Sequence, residues 1–554
     1  MSEDLLTRHR PLLQQAVQAI QKRAYWSPFP EIPSPKFYGE SASEDGKKAF
    51  EARLHKPFAL DQPGSVGQVG DERSPFGIDL GVTYPKPDLD VLFRAVRSAS
   101  ASWREAGPDA WVGVALETLV RLNKRSFELA YAVMHTTGQA FMMAFQAGGP
   151  HAQDRGLEAV AYAWSEMSRI PRTAIWEKPQ GKNEPLRMEK HYRIVPRGIG
   201  LVIGCCTFPT WNSYPGLFAD LATGNAIVVK PHPGAILPLA ITVEVVREVL
   251  AEAGFDANVV TLVAHEKGDD VAQALALHPD VRVIDFTGSP ANGIWLETHA
   301  RQAQVFTEKA GVNPIIIDST NDFKGMIRNI AFSLSLYSGQ MCTAPQNIYV
   351  PKEGIDTPEG RLSFDQVASS IGEGIGKLLG DPARAVEVLG AIQNETILKR
   401  IDDARSLGDI IVDSHTIAHP QFPNAQVHTP LLIKTDASGE PKFMRELFGP
   451  IAFVIATDGT RHSIALSRRG AIEHGAITMS VYSTNKAVLD EACDAAAHAG
   501  VALSCNLTGG VFVNQSAAYS DFHATGANPA ANSSLTDTAF VANRFRVAQS
   551  RAHV

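Results

Sequence analysis

The chain has 554 residues, 44% of them hydrophobic and 20% charged, a composition of globular proteins that leaves room for two or three domains. Its net charge of −8 argues against a nucleic-acid partner. The five cysteines are few and odd in number, which favours free thiols in a reducing compartment over a disulfide framework and makes the cytoplasm the expected location.

The start of the chain, Met1-Ser2-Glu3-Asp4-Leu5-Leu6, carries acid where a secretory leader carries base, and no apolar run reaches the length of a membrane span. A helix is expected around Leu12 to Arg23. Pro, Gly and polar clusters follow, such as Trp26-Ser27-Pro28-Phe29-Pro30 and Pro63-Gly64-Ser65, and they punctuate regular structure. Residues 1–85 therefore read as a surface-hugging extension. From Asp88 to Gly138, Leu116, Leu119, Leu122, Leu129 and Val133 recur at helical spacing, with Gly138 as the C-cap.

Further on, Leu186, Met188, Tyr192 and Ile194 alternate with Arg187, Glu189, His191 and Arg193. That period of two predicts a half-exposed strand, for which Phe540 to Arg551 is a candidate companion. Short β-rich runs then alternate with helix-length stretches at Leu201–Ile203, Ile227–Val229, Val259–Val263, Val281–Ile284 and Ile315–Ile317. This is the pattern of βαβ units and a twisted parallel sheet, which binds dinucleotides at the carboxyl ends of its strands.

Cys342, in Gly339-Gln340-Met341-Cys342-Thr343-Ala344, lies 34 positions after Glu308, in Thr307-Glu308-Lys309-Ala310-Gly311. A thiol can add to an aldehyde to give a thiohemiacetal, which can lose hydride to a nicotinamide ring and leave a thioester. A carboxylate within reach can activate the water that releases the acid. Taken singly, a cysteine usually packs in a core and a glutamate usually faces solvent. Ser289 can cap a helix with Pro290 in its first turn, and that N-terminus, with Gly288 and Gly293, offers donors to a pyrophosphate. Cys205 and Cys206 are adjacent and no His/Cys cluster has zinc spacing, so no metal is expected.

From Arg197 to Val350 the text resembles the aldehyde dehydrogenase superfamily. The 34-residue interval, Phe286-Thr287-Gly288-Ser289 with Gly293, Lys230-Pro231, and Glu446-Leu447-Phe448-Gly449-Pro450 occur in family order. The resemblance extends over about Asp88 to Arg546. It implies a Rossmann-like cofactor domain at 86–309 with an arm strand at 184–196, an α/β catalytic domain at 310–510, and a C-terminal oligomerisation arm at 511–554. It also implies that Cys342 is the nucleophile, Glu308 the base, Lys230 a ligand of the adenosine ribose, and Glu446 with Phe448 the clamp on the nicotinamide ribose. A homodimer or homotetramer is expected.

Three departures stand out. The family's oxyanion-binding Asn, 18 positions before Asn225, is here Thr207, and a lysine of the family falls on Gly216. Loss of one oxyanion donor costs on the order of 3 kcal/mol, although the backbone N–H of Cys342 would remain. Pro233 replaces the usual acceptor of the 2′-hydroxyl, so His232 could approach a 2′-phosphate and the cofactor is expected to be NADP or NAD. The extension, Thr207 and the tail Phe522-His523-Ala524-Thr525-Gly526-Ala527-Asn528-Pro529 most resemble the PaaN-type proteins of phenylacetate degradation. That implies oxidation of a ring-cleavage semialdehyde, CoA-linked or free, to its acid. The alternatives are a CoA-acylating aldehyde dehydrogenase and a catalytically weakened scaffold with the same fold.

Overall fold

Apolar runs at Ile199–Ile203 and Ala226–Lys230 are buried along their whole length, as strands covered by helices on both faces are. In the computed structural model, which describes residues 5–309 and 311–554, they form the centre of a five-stranded parallel sheet. Its order is Val260–Leu262, Ala226–Lys230, Ile199–Ile203, Val281–Gly288, Gln304–Lys309. The chain leaves Ile199–Ile203 toward one edge and returns to pair on its other side, so a crevice opens at the carboxyl ends of Ile199–Ile203 and Val281–Gly288. Val259 belongs to a single 3-10 turn rather than to the strand expected at Val259–Val263.

Ile315–Ile317 does not extend this sheet. It lies near the middle of a second, seven-stranded sheet, between Pro345–Pro351 and Thr478–Tyr482. That sheet is parallel except for its edge strand Asp409–Val412. The α/β architecture read from the alternation of strands and helices is therefore present as two sheets.

The helical reading of Asp88 to Gly138 holds. Asp88 caps a helix by accepting from the Val91 N–H, the helix breaks at Gly107 before Pro108, and Gly138 closes the following helix in the left-handed region at φ 84°. Leu116, Leu119, Leu122, Leu129 and Val133 are fully buried. The first helix runs Leu5–Lys22, and its Leu6, Leu13, Ala16 and Ile20 join the same core as the parallel sheet. The extension is thus anchored in the interior, which its Pro and Gly clusters concealed. The acidic start Met1 to Asp4 lies outside the described residues.

Asn183–Pro196 is the half-exposed strand expected from its alternation. It pairs antiparallel with Thr173–Gln180 on one side and Phe545–His553 on the other, in register from Phe545 opposite Pro196 to His553 opposite Met188. No helix among the described residues is long and apolar enough to cross a membrane.

Candidate active site

Glu308 is the penultimate residue of the strand Gln304–Lys309 and is 2% exposed. The C-terminal tail runs alongside it: the Lys309 N–H donates to the Ala530 carbonyl, and Asn532 exchanges backbone and side-chain bonds with Thr307. Cys342 follows the helix Phe323–Ser335, which Asp322 caps through the Gly325 N–H at 2.8 Å. Tyr337, Ser338 and Gly339 then take positive φ of 53°, 48° and 62°. Such geometry costs about 1–3 kcal/mol for a residue other than Gly and persists only where neighbours enforce it. Here the Tyr337 hydroxyl donates to Thr137 O at 2.5 Å, and Ser338 donates to His428 O at 2.9 Å. The Asn313 amide holds the Cys342 carbonyl at 2.8 Å. The turn delivers the half-buried thiol to the floor of a cleft of about 710 Å³ with Trp26, Met143, Phe208, Trp211, Phe332 and Phe512 on its walls.

At that floor the pair singled out from sequence meets two residues that were not. His523 Nε2 lies 3.8 Å from Cys342 Sγ and 3.1 Å from Glu308 Oε1. The Asn212 amide donates to Glu308 Oε2 at 3.2 Å. Burial alone would raise the Glu308 carboxyl, but the His523 charge and the bonds from His523, Cys342 and Asn212 bring it below the usual carboxylate range. Burial and the neighbouring carboxylate both push the Cys342 thiol well up. Although the sequence has no zinc spacing, the fold brings one ligand atom each of Glu308, Cys342 and His523 within 4.8 Å of one another. His523 was legible only as part of a family-like tail; Asn212 stood in the Trp211-Asn212 pair, five positions beyond Thr207.

Thr207 lies away from this contact set. Its carbonyl accepts from the Gln139 amide at 2.7 Å, and its hydroxyl is directed to Cys205. Gly216 sits where a Cβ would come within 2.4 Å of the Asp285 carboxyl carbon, so no larger residue fits there. The buried cation of this region is Arg544, which donates to Asp285 at 2.8 and 2.5 Å and lies 3.1 Å from Asp220.

Of the cofactor candidates, Lys230, His232, Gly288, Ser289 and Gly293 follow or end strands of the parallel sheet, whereas Glu446 and Phe448 precede the strand Ile451–Thr457 of the second sheet. Lys230 ends its strand buried, and desolvation lowers it to about 8. Burial, with Lys230, His265 and Lys267 nearby, lowers His232 to about 4, and its Nδ1 accepts from the Gly234 N–H at 3.0 Å. Ser289 caps the helix Pro290–His299 as expected, accepting from the Asn292 N–H. A Cβ on Gly288 would meet the Phe286 ring at 2.7 Å, and one on Gly293 would meet the Lys309 stem at 2.6 Å. Both glycines thus keep the backbone low at the helix entrance. Burial raises Glu446 to about 7, against the pull of Arg400, and the adjoining turn is tied by Arg400 to the Phe448 carbonyl.

The profile of the "Aldehyde dehydrogenase family" matches residues 83–511. The chain belongs to the aldehyde dehydrogenase family. The enzyme is 64% identical to an NAD-dependent aldehyde dehydrogenase from Burkholderia multivorans, with a TM-score of 0.99 and full coverage of both chains. It is 28% identical to N-succinylglutamate 5-semialdehyde dehydrogenase of Chromobacterium violaceum, over 68% of this chain and 74% of that one. Its fold is also that of 1-pyrroline-5-carboxylate dehydrogenase from Thermus with bound NAD, at 18% identity and a TM-score of 0.73, covering 96% and 99% of the two chains.

Proposed function

We propose that the enzyme oxidises an aldehyde to a carboxylic acid with NAD, through a thiohemiacetal and a thioester on Cys342. The observation that carries this is that Cys342 and His523, which line an aromatic cleft, meet the buried Glu308 behind them. A soft nucleophile and a buried, ionised base thus lie within reach of one another. NAD, when bound, accepts the hydride. This chain's residues suit it: the capped helix N-terminus at Ser289 for the pyrophosphate, Lys230 for the adenosine ribose, and Glu446 with Phe448 for the other ribose. Of the two cofactors expected from sequence we propose NAD, the cofactor named for the relative at 64% identity. A neutral His232 with Nδ1 already engaged is also a poor partner for a 2′-phosphate.

With Thr207 turned to Cys205, we assign the side-chain amide at the reacting carbonyl to Asn212, beside the backbone N–H of Cys342. The aromatic walls support a substrate with a ring-derived or long apolar body, in keeping with a ring-cleavage semialdehyde of aromatic or phenylacetate catabolism. A panel of aliphatic, aromatic and CoA-linked aldehydes, followed by NADH absorbance, tests this. Short aliphatic aldehydes turned over as efficiently as ring-derived ones would overturn it. We retain the divisions 86–309 and 310–510 as the two functional domains, although the boundary residue Ala310 lies outside the described residues. We assign residues 511–535 to the site and Phe545–His553, with its two partner strands, to an oligomerisation arm.

Glu308 marks water rather than CoA as the acceptor, because a CoA thiolate needs no base to attack a thioester. Glu308→Gln should give one burst of NADH equal to the active sites and then stall as an acyl-enzyme visible by mass spectrometry. Steady turnover of that variant without CoA would exclude the assignment.

A further inference from the structure

Three features of the floor of the cleft set up a proton-transfer problem. Glu308 is buried and held in its charged form, Cys342 is half-buried beside it, and burial together with that carboxylate opposes ionisation of the thiol. A thiol so placed would stay protonated and unreactive near neutral pH. One side chain touches both groups. His523 is 3% exposed, and its Nε2 lies 3.8 Å from Sγ and 3.1 Å from the carboxylate.

We propose that His523 is a catalytic residue, the acceptor of the Cys342 proton, and that its imidazolium holds the thiolate and the Glu308 carboxylate as a pair of anions around one cation. The proposal rests on the reading of Cys342 as nucleophile.

The surroundings of the imidazole suit this role. Glu308 faces it from the strand Gln304–Lys309 and Cys342 from the turn after Ser338. From the helix Pro209–Ala222, Trp211 sets its ring edge-on at 4.6 Å, so that side contributes no charge. Asp521, two residues earlier in the tail, is exposed and bonded to the Ala517 N–H. Arg155, beyond Trp211, is engaged with buried Glu158. Cys205 lies behind Asn212 and is itself pushed up to about 11 by burial, with Thr207 and Phe208 N–H groups opposing. The groups in direct contact with His523 are thus the Cys342 sulfur and the Glu308 carboxylate.

The steps balance with this chain's residues. In the neutral ring that carries its hydrogen on Nδ1, the Sγ–H bond breaks, its proton joins the Nε2 lone pair, and the new Nε2–H lies between the thiolate and the Glu308 carboxylate. A sulfur pair forms the S–C bond to the aldehyde carbon while the C=O π pair moves to oxygen. After hydride has left for the nicotinamide, the carbonyl reforms as a thioester. Glu308 then takes a proton from water, whose oxygen attacks the thioester carbon, and the C–S pair returns to sulfur. That sulfur is a stable leaving group because the imidazolium is still beside it. One cation therefore serves both halves of the reaction.

The test reads Cys342 itself rather than turnover. Carbamidomethylation of the NAD-free enzyme by iodoacetamide, followed by mass spectrometry of the Cys342 peptide from pH 5 to 10, reports the thiolate fraction. In the wild type the rate should reach half its plateau below the pH of about 8.5 where a free cysteine ionises. His523→Gln keeps an N–H toward Glu308 but cannot store a proton. It should move the half-point upward and lower the rate at pH 7 at least tenfold, with NAD affinity unchanged. His523→Phe should do the same if it folds; if it does not, the glutamine variant decides alone. Wild-type labelling with the profile of an ordinary or suppressed thiol, or matching profiles for wild type and His523→Gln, would overturn the proposal. Failure of the nucleophile assignment looks different: Cys342→Ala would retain aldehyde oxidation whatever the labelling curves.

Discussion

Glu446 and Lys230 are carboxyl and amine groups whose charges burial works against, at about 7 and about 8. In the proposed binding mode the acid would accept ribose hydroxyls as a carboxylate, present above about pH 7, and the amine would donate as an ammonium, present below about pH 8. NAD affinity should therefore peak between these values and fall toward tenfold per pH unit on either side if each charge is fully required. Fluorescence titration from pH 5.5 to 9.5 checks it: Glu446→Gln should flatten the acid limb and Lys230→Met the alkaline one. At the neighbouring chemistry, Cys342→Ala should abolish oxidation and leave NAD binding intact. Asn212→Ala should slow hydride transfer by about 2.7 kcal/mol or more in single-turnover absorbance, whereas Thr207→Val should change it little. Equal losses in the two would return the oxyanion role to Thr207. The pair Cys342 and Glu308 was legible because the proposed nucleophile and base stand in short local patterns at the interval of the family. His523 was not, because its significance lies in two contacts that span 181 and 215 positions of chain, and no local pattern records such a distance.

Elements were legible in proportion to how local their causes are. Ser289 and Gly138 act on the turn they terminate, and both caps are where the sequence placed them. The alternation at Leu186 to Ile194 marked a strand correctly, yet Thr173–Gln180 did not announce its other partner, because its half-buried Ala174 and Trp176 flank an exposed Ile175 and the apolar residues run consecutively instead of alternating. Arg544 was hidden for a different reason. It is a lone cation just before an exposed strand, and only the fold reveals that it is 0% exposed between Asp285 and Asp220. Removing one member of a buried ionic cluster typically costs about 3–5 kcal/mol, because the remaining charges stay buried without compensation. Arg544→Met should accordingly lower the urea midpoint sharply. Adding Asp285→Asn and Asp220→Asn should recover a large part of the loss, and no recovery would mean that Arg544 acts through packing on Phe306 and Phe540. The same cluster explains why Gly216 cannot carry the family's lysine.

On the scale of the molecule, the arm is a three-stranded ribbon with Ile175, Leu186 and Val547 exposed. An edge of this kind invites pairing with another chain. Deleting 547–554 should convert the expected dimer or tetramer to a smaller species by light scattering, and an unchanged mass would place the subunit interface elsewhere. The candidate site, by contrast, is scattered along the chain: Trp26 on the wall of the cleft, Asn212 from the helix Pro209–Ala222, Glu308 from the parallel sheet, Cys342 from the turn after Ser338, and His523 from the tail. That dispersion sets a timetable for synthesis. While the ribosome is still adding the last thirty or so residues, the nascent chain already holds its thiol and its carboxylate but not the imidazole between them, nor the Ala530 to Asn532 segment that borders Glu308. A chain released early by a premature stop before His523 would keep the residues of both sheets and the Asn212 bond to Glu308, yet lack the imidazole and the Arg544 that sits between Asp285 and Asp220. If His523 takes the thiol proton as proposed, the site would gain its chemical competence only when translation is nearly finished, and an unfinished chain would be spared the capture of reactive aldehydes on a half-built site.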